Sequence, residues 1–157
     1  MAIATLFAFQ QHRGVLTARL NMIKADMEVR TTAVVVDKVE EITSRAFDDA
    51  TVYGPTADRT RLTPLQTGVA SLEGSALNDM DDYNALPQIE TRAVNGIEIQ
   101  FGTRAEVYYV SELDGDTRSS VPTRLKKVIV KAYPIGMVSA DTAYVSQVVS
   151  CGKNCAW

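Results

Sequence analysis

IEIQFGTRAEVYYV, residues 97 to 110, alternates apolar and polar side chains. Ile97, Ile99, Phe101, Ala105, Val107 and Tyr109 share one parity, and Glu98, Gln100, Arg104 and Glu106 share the other. Successive side chains of a strand point to opposite faces, so this pattern predicts a long strand with one face buried and one wet. Gly102 marks a bend in it.

Reading outward, QIETRAV (88–94) runs into Asn95-Gly96, a strong hairpin turn signal, and supplies a preceding strand. After the central strand, ELDGDTRSSVP is a polar turn, RLKKVIVKAY a further strand and TAYVSQVVS a fourth. Lys126, Lys127 and Lys131 are expected to keep the third strand solvated along much of its length. Strands joined by short turns form an antiparallel sheet with one packed face. The cover for that face lies at the other end of the chain. Residues 2 to about 46 hold no proline and a single glycine, Gly14. Leu16, Leu20, Ile23 and Met27 fall on one helical face, and the stripe resumes at Val35, Val39, Ile42 and Ala46. Lys24, Glu28, Lys38 and Glu41 fall between them, where they can face water. A helix of about forty residues is on the order of 60 Å long, too long to lie wholly on one small core. Part of it is expected to project or to pack on another chain. The fold class is therefore α+β: a long N-terminal helix (1–47), a long helix-to-sheet loop (48–88) and a four-stranded antiparallel sheet with a cysteine turn (89–157), one globular domain in all.

Composition narrows the function. The chain has 157 residues, 46% hydrophobic, and a net charge of -3, which argues against a broad nucleic-acid footprint. His12 is the single histidine. A multi-histidine zinc site is impossible, any histidine-based triad must use His12, and no phosphate-cradling glycine loop is present. The catalytic inventory is thin, and a non-enzymatic role is expected. Cys151 and Cys155 can close as a disulfide across the turn formers Gly152 and Asn154, pairing outside a reducing cytosol and staying free thiols within one. Val52, Tyr53, Leu62, Leu65, Val69 and Leu72 are the residues available to tack the long loop down.

NDMDDYNAL (78–86) is the most chemical-looking stretch. The favoured reading is a solvated turn into the sheet, anchored by Tyr83 and Leu86, because Asp and Asn side chains bond nearby backbone N–H groups. The sharper reading is a calcium site supplied by Asp79, Asp81, Asp82 and Asn84, although no EF-hand pattern is met. Catalysis by paired carboxylates comes last, since an exposed loop offers neither a cleft nor a raised pKa.

Together these stretches resemble type IV pilins and the pseudopilins of type II secretion. VEEITSRAFDDATVYG (39–54) resembles the exit of a pilin helix into its loop, and LNDMDDYNAL (77–86) the acidic lead into the sheet. RAEVYYVSE (104–112), RLKKVIVKAYP (124–134) and AYVSQVVS (143–150) resemble successive strands of that sheet, in the expected order. The family's basic leader and its apolar anchor of roughly twenty residues are not visible; MAIATLFAFQQ corresponds to the anchor's end. An N-terminus upstream of Met1 is the expectation if the chain is a processed pilin.

The resemblance implies a structural subunit of an extracellular or periplasm-spanning filament, reaching the cell surface by way of the inner membrane and its assembly machinery. Self-association would run through the N-terminal helices, with Leu6, Phe7, Phe9, Leu16, Leu20 and Ile23 as interchain contacts. The alternative is a minor pilin acting as a binding or initiation module, which low abundance would distinguish. Neither reading implies a cofactor, calcium apart, or a nucleic-acid partner.

Overall fold

The structure, a computed structural model, describes residues 2–64, 77–94, 96–137 and 142–156, with the backbone alone for 2–9 and 94. Leu65, Val69 and Leu72, expected to tack down the loop, lie outside the described residues.

Helix α1 spans Ala2–Thr43, 42 residues. Its end is closed locally. The Thr43 and Ser44 hydroxyls donate to the carbonyls of Glu40 and Glu41, and Arg45 N–H bonds the Ile42 carbonyl, so these three acceptors of the last turn find donors. The chain then turns inward at buried Phe47. Asp48 follows as the N-cap of a one-turn 3-10 helix over Asp49–Thr51, with Thr51 reciprocating in a capping box.

The strands are β1 (Pro87–Val94), β2 (Ile97–Tyr109), β3 (Leu125–Pro134) and β4 (Ala143–Ser150), in spatial order β1-β2-β3-β4, all neighbours antiparallel. The alternation seen in the sequence is the alternation of burial. Phe101, Ala105, Val107 and Tyr109 are buried with Val128, Val130 and Ala132 of β3. The helix lays Val34, Val35, Val39 and Ile42 onto this face, chiefly over β3 and β4. Phe47, Leu62, Met80 and Tyr83 of the loop complete the core. Fully burying side chains of this size is worth about 1.5–3 kcal/mol each, so the loop is held by its own apolar anchors.

Several expectations fail in instructive ways. Ile97 shares the core parity but is exposed, because it sits at the hairpin end, outside the core. Tyr53 is fully exposed and tacks nothing down. Lys38 is buried, its ammonium 2.6 Å from Glu41 and 2.5 Å from Glu90. Burial opposes its charge, but the hydrogen bonds to both carboxylates outweigh that and raise its pKa. Gly102 does more than bend β2. The Tyr133 ring, across the β2–β3 register, lies on it, and a Cβ there would stand 2.5 Å from the ring.

Cys151 and Cys155 are joined by a disulfide, with Cα atoms 5.6 Å apart, around a one-turn 3-10 helix at Gly152–Asn154. Both are buried. The backbone of Thr56 is pinned beside them, donating to the Asn154 carbonyl and accepting from Ala156 N–H, each at 2.9 Å. The cysteine turn thus fastens the first part of the long loop to the end of the sheet.

Candidate functional site

Two features stand out, one at the surface and one in the core. The first is the free part of α1. Every described side chain from Gln10 to Asp26 is exposed, and burial begins at Met27. The exposed stretch carries Leu16 (45% exposed), Leu20 (66%) and Ile23 (57%). These continue, at spacings of four and three, into Met27, Thr31, Val34, Lys38 and Ile42, which face the sheet. The stripe that builds the core therefore does not stop where the sheet stops. It runs on along a helix with none of the described residues against it. Other faces of the same stretch are polar, with ion pairs Lys24–Glu28 at 3.8 Å and Arg30–Asp26 at 2.7 Å. The side chains of Leu6, Phe7 and Phe9 lie outside the described ones, though their backbone continues the helix. His12 is exposed on it. Among the described residues no helix is long and apolar enough to cross a membrane.

The second feature is the acidic stretch, and it is not solvated. Asp79, Asp81, Asp82, Tyr83 and Asn84 are all buried. The turn chemistry is as the sequence suggested. Asp82 Oδ2 accepts from the N–H groups of Asn78 and Asp79, and Asp79 Oδ1 from those of Asp81 and Asp82. Asn84 Oδ1 accepts from Val107 N–H, and Ala85, at φ 61°, donates to the Ala105 carbonyl. Tyr83 hydroxyl donates to Glu41 Oε1 at 2.8 Å, tying the turn to α1, while Leu86 is only half-buried. The turn is packed between helix and sheet because its carboxylates find donors within the protein, one of them an ammonium.

The neutralising charge is Lys126. It lies on the inward parity of β3 and is fully buried. Its Nζ donates to Asp81 Oδ2 at 2.7 Å and to the Phe47 carbonyl at 2.5 Å, with Asp48 Oδ2 at 3.4 Å. The rings of Phe47 and Tyr109 flank it, their centroids 4.6 and 4.7 Å away. Asp48 is also wholly buried; it accepts from Tyr109 hydroxyl at 2.7 Å and from the N–H groups of Ala50 and Thr63. Burial pushes the Asp81 carboxyl up to about 7, against the pull of Lys126. Burial, then the charge of Asp82, also raises Asp79. Tyr109 hydroxyl is raised by burial and by the Asp48 carboxylate.

The four residues considered as calcium ligands are thus brought into one small region, but one oxygen of each is bonded to a backbone N–H group or to an ammonium. Among the described residues no group of three or more His, Cys, Asp or Glu is arranged to hold a metal ion. Sequence reading missed Lys126, Asp48 and Tyr109 as one unit. A signal was present: adjacent Lys126 and Lys127 occupy both parities of a strand, so one of them must face the core.

No family model, curated protein or solved structure matches the chain.

Proposed function

We propose that the protein is a structural subunit of a helical filament of the type IV pilus kind, assembling through the exposed part of α1. The reading is carried by one observation: the apolar face of α1 continues past the sheet with no partner among the described residues. Exposed leucines and isoleucines at helical spacing are driven together by the hydrophobic effect, and helices with such seams bundle side by side. In that arrangement the helices pack at the filament centre and the sheet domains coat the outside. The disulfide agrees with an oxidising location. The function is mechanical, and the interior carboxylates serve the stability of the domain. Leu16, Leu20 and Ile23 are the described contact residues; Leu6, Phe7 and Phe9 extend the same surface by sequence.

The test is replacement of Leu16 and Leu20 with Glu in cells that make the protein. Sheared surface fractions are examined by electron microscopy with an antibody to the sheet domain. The variant is expected to fold, with unchanged near-ultraviolet circular dichroism, and to leave no labelled filament. Normal filaments from the variant, or none from the parent chain, overturn the proposal.

A further inference from the structure

We propose that Lys126 and Asp81 become joined after folding by an amide bond between Lys126 Nζ and Asp81 Cγ, a covalent cross-link between β3 and the turn that leads into β1. The geometry carries it. The amine nitrogen stands 2.7 Å from an oxygen of the carboxyl group it would attack. A second carboxylate, Asp48, has an oxygen 3.4 Å from the same nitrogen, placed to take a proton from it and to return one. Phe47 and Tyr109 close the site from water on the sides their rings cover.

The step balances without another reagent. As the first step one proton moves along the hydrogen bond from Lys126 Nζ to Asp81 Oδ2, giving an amine beside a neutral acid. Burial, which pushes the Asp81 carboxyl up, favours the protonated acid. The Nζ lone pair then attacks Cγ, and the C–N bond forms. Asp48 accepts a proton from the nitrogen and delivers it to the departing oxygen. One Cγ–O bond breaks and one water leaves. The Phe47 carbonyl, 2.5 Å from Nζ, is positioned to accept the N–H that remains. Holding amine and acid in contact in the folded state supplies the high effective concentration that a dilute pair lacks.

Other ion pairs among the described residues lack this setting. Lys38 meets Glu41 and Glu90, whose side chains are 37% and 28% exposed. Lys127 meets Asp116, which is largely exposed. For Lys126 and Asp81 the side-chain exposures are 0% and 7%. The hydrogen-bonded anchors of Asp48 on Ala50, Thr63 and Tyr109 fix it as the assisting group and leave Asp81 as the group attacked.

The experiment is the intact mass of the purified full-length chain, denatured and with the disulfide reduced, followed by tryptic peptide mapping. The cross-linked chain is lighter than its sequence by one water, resists cleavage after Lys126, and yields a branched peptide joining Lys126 to Asp81. Lys126→Arg, which keeps the charge, has the full sequence mass. Asp48→Asn loses most of the branched peptide. A wild-type chain at full mass overturns the proposal. A missing water located elsewhere, such as a cyclised Asp114-Gly115, overturns it equally. Complete cross-linking in Asp48→Asn overturns the role given to Asp48.

Discussion

Replacing Lys126 with Met tests the account of the core most directly. Met nearly matches the length of the lysine stem and keeps its apolar contacts with Phe47 and Tyr109, so the change isolates the ammonium. While the pair is ionic, that ammonium neutralises Asp81 at 2.7 Å and satisfies the Phe47 carbonyl at 2.5 Å. Its removal leaves a buried carboxyl group and a buried carbonyl without that donor. Removing one partner of a buried ion pair costs about 3–5 kcal/mol. For a chain of this size each kcal/mol moves the melting temperature by about 2–4 °C, so a fall of roughly 6–20 °C is expected. The assay is urea or thermal unfolding followed by near-ultraviolet circular dichroism, which reports the packed Tyr83 and Tyr109 rather than the projecting helix. The double variant Lys126→Met with Asp81→Leu, which replaces the pair by apolar side chains, is expected to recover part of the loss if the tie is ionic. If the tie is an amide, the double variant does not recover, because the covalent constraint is gone from both variants. A loss below about 1 kcal/mol in the single variant would show that water reaches Nζ and would refute the reasoning.

Four further outcomes are expected. Tyr83→Phe removes a hydrogen bond to the Glu41 carboxylate and is expected to cost about 1.5 kcal/mol, read by urea unfolding. Gly102→Ala forces the half-exposed Tyr133 ring off the sheet and is expected to cost about 1 kcal/mol, a loss that vanishes in a Tyr133→Ala background. The Asp114 carboxyl is drawn down to about 2 by the Thr117 hydroxyl and by the N–H groups of Asp116 and Thr117. Since its folded value lies below its unfolded one, its contribution is complete above about 4 and is lost as pH falls through about 2; NMR titration is expected to show that midpoint, rising in Thr117→Val. Millimolar Ca²⁺ is expected to give no heat of binding and no shift in melting temperature, because Asp79, Asp81 and Asp82 already hold internal donors.

The sequence by itself determined the elements and their order. Period-two alternation at 97–109 and helical spacing through Ile42 are local consequences of backbone geometry, so α1, the four strands and their antiparallel pairing were legible one residue at a time. So was the projection of α1, since its length exceeds any small core. Tertiary structure alone decided the fate of the charges. Lys126 read as a solvated lysine of its strand; it is buried, and only the return of two distant segments, bringing Asp48 and Asp81 to the same point, shows why an ammonium is tolerated there. The acidic turn read as solvated because carboxylates are ordinarily hydrated, and its partner lies 45 residues away along the chain. Lys38 misled for the same reason: its partner Glu90 comes from β1, far along the chain. Burial of charge depends on the sum of desolvation and pairing, and pairing between distant residues is set by the fold rather than by any local pattern.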